Sequence, residues 1–171
     1  VTGVELMPGN LAIAHHAVIY LVDEEHSATI EAADGADGAD GYSCFGGASP
    51  TGQPTFPTKL VAAWLPGIDA NPFPQGTGVR VEPGARGVLQ MHYSIVNGGA
   101  QPDRSAVAFE TADSVTHDAG YLPWLDIEWP SDPESMRIPA GDAEVVHEYV
   151  GDPTQSPLID EFVPGLDASE G

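Results

Sequence analysis

Basic residues are almost missing from this chain: five Lys and Arg stand against 26 Asp and Glu, a formal charge of -21 over 171 residues. Binding to nucleic-acid phosphates or to an anionic membrane surface would bring like charges together, so neither partner is expected. The plainest use of so much acid is a heavily hydrated surface. Local enrichment of cations around a site is the sharper use, and salt screening limits its reach. Cysteine is nearly absent too, and Cys44 alone cannot form an internal disulfide. A small buried hydrophobe accounts for it equally well. No apolar run is long enough to cross a bilayer, and no basic segment followed by an apolar signal region opens the chain, so no membrane span is expected.

Long helical patterns are also lacking. Twenty Gly and 16 Pro interrupt short apolar runs, which disfavours long helices and favours an all-β fold, an antiparallel β-sandwich. Alternation and turn signals place candidate strands at 4–6, 12–22, 60–65, 78–81, 87–96, 106–111, 125–128 and 144–150. A chain of this length holds one good core, or one domain and part of another.

Against that background the pair His15-His16 stands out, set inside the apolar run 11–22. Two adjacent imidazoles in a half-buried strand are costly without a shared task, and holding a metal is the simplest one, since the ion takes up lone pairs that burial would strand. Consecutive residues on a flat strand point to opposite faces. The pair can therefore reach one ion only where the strand twists, bulges, or coordinates through ring nitrogens close to the backbone. On residues alone, one packed and one exposed histidine is the commoner reading of such a pair. A third ligand is offered by the segment 87–96: Leu89, Met91, Tyr93 and Ile95 form its apolar face, while Gln90, His92 and Ser94 point the other way. His92 is the candidate, and Gln90 beside it can orient a water or a ligand.

The succession 1–10, His15-His16-Ala17-Val18-Ile19-Tyr20, Gly41-Tyr42-Ser43-Cys44-Phe45, Ala63-Trp64-Leu65-Pro66-Gly67, 74–79 and Val88-Leu89-Gln90-Met91-His92-Tyr93 resembles the copper type II, ascorbate-dependent monooxygenases, the peptidylglycine alpha-hydroxylating and dopamine beta-monooxygenase family. The resemblance covers residues 1 to about 96 in the family's order. It implies a jelly-roll-like β-sandwich, copper as the cofactor, and His15, His16 and His92 as the ligands of the electron-transfer copper. It also implies ascorbate or another electron donor, and a small-molecule or peptide substrate in the full-length protein. Export follows from the same source, giving an extracytoplasmic location, secreted or periplasmic. The segments 105–110, 119–122 and 137–141 resemble the linker and opening strands of the family's second domain, so the expected organisation is an N-terminal copper domain over 1–103 and a truncated second domain over 104–171. The second copper of the family needs a His-x-His pair and a later methionine. No His-x-His occurs, and His147 and Met136 do not match those motifs. The expectation is a fragment or a naturally split portion of such an enzyme. A Cys44 partner upstream is also implied only by the family. The alternatives are a noncatalytic extracytoplasmic copper-binding module of the same fold, and a purely structural secreted sandwich whose histidines do not converge. A blue-copper site using Cys44 with two histidines is a further option, without the clustered ligand loop such sites use.

The remaining features read more plainly. Asp34-Gly35-Ala36-Asp37-Gly38-Ala39-Asp40-Gly41 spaces its carboxylates by three, whereas calcium loops space them by two and close on a glutamate, so a flexible acidic loop is expected. Trp64, Trp124 and Trp129 read as core or interface aromatics, and His26 and His117 as solvent-facing.

Overall fold

The computed structural model describes residues 1–44, 47–50, 58–68, 70–96, 99–121, 129, 132 and 134–151. Its elements in chain order are β1 (Gly3–Met7), β2 (Ala14–Val22), α1 (Glu24–Ala33), β3 (Lys59–Trp64), β4 (Asn71–Pro72), β5 (Thr77–Gly78), β6 (Arg86–Tyr93), β7 (Ala106–Glu110) and β8 (His117–Asp118). Alternation shapes β1 directly, with Val4 and Leu6 inward and Glu5 and Met7 outward. From Ala17 onward β2 departs from alternation: Ile19 and Leu21 are buried on one face, Tyr20 and Val22 on the other. A strand covered on both sides reads as a continuous apolar run, which is what residues 17–22 show.

Two three-stranded antiparallel sheets result, ordered β4-β1-β7 and β3-β2-β6, and a short parallel pair joins β5 to β8. Val4 of β1 packs with Ile19 and Leu21 of β2, Val61 and Ala62 of β3, and Val79. Leu6 of β1 packs with Ala14, Ala17 and the buried Trp64. Both sheets therefore contribute to common apolar clusters. The opposite face of β2 is covered differently, by Ile30 of α1 together with Ala48 and Val88 around Tyr20 and Val22.

The chain is mostly strand, as the all-β expectation has it, with one short helix, α1. The helix sequence carries almost no apolar stripe, since only Ser27 and Ile30 are buried, so periodicity could not announce it. End signals were present instead. Asp23 occupies the N-cap position, Glu24 and Glu25 place negative charge on the first turn, and Gly35 follows the C-cap with φ of 71°. The Asp-Gly-Ala repeat is an ordered set of turns: Gly35, Gly38 and Gly41 take positive φ, and Asp34 and Asp37 accept from the backbone N–H groups of Gly41 and Ala39. Each triplet closes a turn on a residue without a Cβ, which explains the period without a cation.

The strand expected at 78–81 is reduced to β5, and 144–150 forms no strand. The candidate at 125–128 and Trp124 lie outside the described residues, and Trp129 is exposed. The chain divides into compact units Val1–Tyr121 and Leu122–Gly171. The strand β7, placed by the sequence reading after a boundary at 103, pairs along its length with β1 inside the first unit. Among the described residues no helix is long and apolar enough to cross a membrane.

Candidate metal centre

The histidine end of the sheet is built from the start of β2 and the end of β6. Along most of their length these strands pair regularly, from Val22 opposite Arg86 to His16 opposite His92. The register then shifts, and the next partners are Ala14 and Tyr93. His15 is the extra residue of a β-bulge. Two residues of the bulged strand thereby face one on its partner, and the alternation that would have sent His15 and His16 to opposite faces is broken.

The three rings close up as a result. Nδ1 of His16 lies 3.0 Å from Nδ1 of His15 and 3.2 Å from Nδ1 of His92. Ring centroids are 5.2, 5.0 and 4.5 Å apart and every pair meets edge to face. One ligand nitrogen from each residue falls within 4.8 Å of the others, so the group can hold a metal ion. With metal–nitrogen bonds of about 2.0 Å, nitrogens 3.0 and 3.2 Å apart are close enough to share one ion. Without an ion the arrangement is poorly satisfied, because a proton on His16 Nδ1 can serve only one of two facing lone pairs at a time. Burial lowers the His16 pKa below 6.5, and the neighbouring His92 and His15 lower it further. The nitrogen at the centre of the cluster is thus kept neutral and available to a metal. His15 and His92 are exposed and His16 is half-buried, so the centre opens to solvent.

No protein-family model, curated protein or solved structure matches this chain. What the site can do therefore rests on its own chemistry. A neutral three-imidazole set suits copper or zinc, and no carboxylate or thiolate joins the group among the described residues.

The other flagged residues are occupied elsewhere. Gln90 turns its amide to the carbonyl of Gly47 at 2.9 Å and to Sγ of Cys44 at 3.3 Å, which ties both residues to β6 and occupies the amide away from the histidines. Cys44 is a free, half-buried thiol outside the histidine group, which removes the blue-copper arrangement. His26 is half-buried beside Glu25 on α1, not solvent-facing, whereas His117 is exposed on β8. His147 contacts the carbonyl of Arg137 at 3.2 Å within the second unit.

Sequence reasoning missed a polar group beside the ligands. The Tyr93 hydroxyl donates to Oδ2 of Asp103 at 2.8 Å, and Ser105 Oγ donates to the same oxygen at 2.7 Å. Burial, then the bond to Asp103, pushes the Tyr93 phenol up to about 12. Burial alone would raise the Asp103 carboxyl, but hydrogen bonds from Ser105, Tyr93 and the backbone of Asn10 and Arg104 outweigh it and hold the carboxyl below its usual value. A tyrosine directly after the third histidine was the available signal.

Acid should empty the centre. An imidazole must surrender its metal-binding lone pair to take a proton, so bound metal is released on acidification, and the metal itself shifts that competition to lower pH. The lowered His16 pKa sets the sign for folding: unfolded His16 protonates at the higher pH, so its contribution to stability is present above 6.5 and is lost as pH falls through the lowered folded value. Equilibrium dialysis against buffers of decreasing pH measures the release. Metal retained in strong acid and lost instead on alkylation of Cys44 would contradict a histidine site.

Proposed function

We propose that His15, His16 and His92 hold a copper ion and that the chain serves as the electron-transfer part of an ascorbate-dependent copper monooxygenase, working outside the cytoplasm on an extended β-sandwich, jelly-roll-like scaffold. The observation that carries the metal is the convergence of three imidazole Nδ1 atoms at a bulge. The order of motifs along residues 1–96 carries the choice of copper and of the reaction class.

Copper bound there would supply one-electron storage by cycling between its two oxidation states. The protein's own part is to offer three neutral donors, which tolerate both states, and to keep the central one deprotonated. Exposure of His15 and His92 leaves an approach for a small reductant such as ascorbate. Substrate recognition, for a small molecule or a peptide, falls outside the residues that build this centre.

The test is spectroscopic. One equivalent of copper(II) should give a paramagnetic signal that ascorbate abolishes and air restores, with the metal retained throughout. Loss of the ion on reduction, or a signal indifferent to ascorbate, would overturn electron transfer. With copper, ascorbate and oxygen the chain alone should give no hydroxylated product in a coupled reaction, because inserting one oxygen atom and releasing the other as water takes two electrons and this centre passes one at a time. Sustained product formation abolished by His92→Ala would overturn that division of labour.

A further inference from the structure

The histidine-bearing ends of β2 and β6 are both tied to one stretch of chain, residues 101–105. On the β2 side, the turn from β1 presents Asn10, whose Nδ2 donates to Oε1 of Gln101 at 3.2 Å and to the carbonyl of Pro102 at 3.1 Å. Asn10 also organises the approach to the bulge: its Oδ1 accepts from the Ala12 N–H at 3.1 Å, and its carbonyl accepts from the N–H groups of Ile13 and Ala14. Gly9 donates its N–H to Ser105 Oγ at 3.2 Å. Its Cα lies so close to the 104 backbone that a Cβ would collide with the Arg104 carbonyl oxygen, so only glycine fits. On the β6 side, Tyr93 reaches Asp103, which Ser105 also holds. Tyr93 is the chain neighbour of His92 and the cross-strand partner of Ala14, the residue before His15.

We infer that Asp103, with Tyr93, Ser105 and Asn10, forms a clasp of positioning residues that fixes the separation of the two strand ends and so the spacing of the three imidazoles. This rests on reading His15, His16 and His92 as a metal centre. A bulge interrupts the β2–β6 ladder just where the ligands sit, and a ladder with an unpaired residue does not by itself define side-chain separations there. The clasp supplies the missing constraint from outside the ladder. Groups hydrogen-bonded directly to a ligand are worth about 10–100-fold in metal affinity, and the clasp, acting one residue further out through the strand ends, belongs at the lower end of that range.

The experiment loads copper(II) into the wild-type chain, Tyr93→Phe, Asp103→Ala and Asp103→Asn, and reads copper affinity, the hyperfine pattern of the paramagnetic signal, and the urea midpoint. Tyr93→Phe and Asp103→Ala should each bind copper about tenfold more weakly with an altered hyperfine pattern. Asp103→Asn keeps an oxygen that can accept from Tyr93 and should stay nearer the wild-type pattern. Wild-type affinity and pattern in both Tyr93→Phe and Asp103→Ala, whatever their urea midpoints, would overturn the clasp. Should Asp103→Ala fail to fold, Tyr93→Phe decides alone, since it deletes one oxygen from a side chain that is 40% exposed. Absence of copper binding by the wild type would overturn the metal centre itself and the clasp's role with it, a result distinct from a clasp that merely proves dispensable.

Discussion

Removing the imidazole of His16 should reduce copper affinity on the order of 100-fold or more, beyond the range for lost supporting contacts. His16 is the shared neighbour in the cluster, the only ring whose Nδ1 is within hydrogen-bonding distance of both others among the described contacts. Without it, His15 and His92 remain as two exposed donors, with the half-buried third donor of the set lost. His15→Ala and His92→Ala should each act in the same direction. Isothermal titration of copper into the wild type and the three variants measures this, with one equivalent bound by the wild type. Unchanged affinity in all three variants would dispose of the centre. A drop in His16→Ala alone would locate the ion on His16 and an undescribed partner.

The second large effect belongs to the core. Ile19 is 2% exposed and lies where side chains of β1, β2 and β3 meet. Cutting it to alanine removes buried apolar surface and leaves a cavity that strands from two sheets cannot easily collapse into. Ile19→Ala should therefore cost about 2–5 kcal/mol of unfolding free energy. Val96, 86% exposed, provides the contrast, and Val96→Ala should change stability by about 0.5 kcal/mol or less. Urea denaturation of both variants checks the pair. Similar midpoints for the two would mean that the shared cluster is not what holds these sheets together.

The legible part of this protein was local. The apolar run after His16 announced β2, and alternation in β6 set His92 on its polar face. Two adjacent histidines and one ion called for a twist, a bulge or ligation close to the backbone, and did not say which. The pairing of His16 with His92 was not legible, because it depends on the register of strands 76 positions apart in sequence. Helix α1 escaped because its inward face is little more than Ser27 and Ile30, too narrow a stripe for periodicity to mark. Gln90 misled for a related reason: period-two alternation puts it on the face of His92, but gives no warning that Cys44 and Gly47 take up its amide first. Asp103 and Ser105 carried no periodic signal at all, being single polar residues whose partners come from a distant turn and the end of a strand.

The bulge at His15 gives the chain an unusual sensitivity to insertion and deletion. In an ordinary surface turn, one residue more or less is absorbed by the loop. Here the residue count between Asn10 and His16 decides which way side chains face, so losing one codon from that interval while keeping both histidines would restore an even ladder and rotate the preceding residue to the other side of the sheet. Adding one would displace Asn10 from Gln101 and Pro102 by a full strand step of about 3.3 Å. Codon-level indel scanning should consequently find residues 10–16 as intolerant of length change as buried β2, even though several of them are exposed and accept individual substitutions.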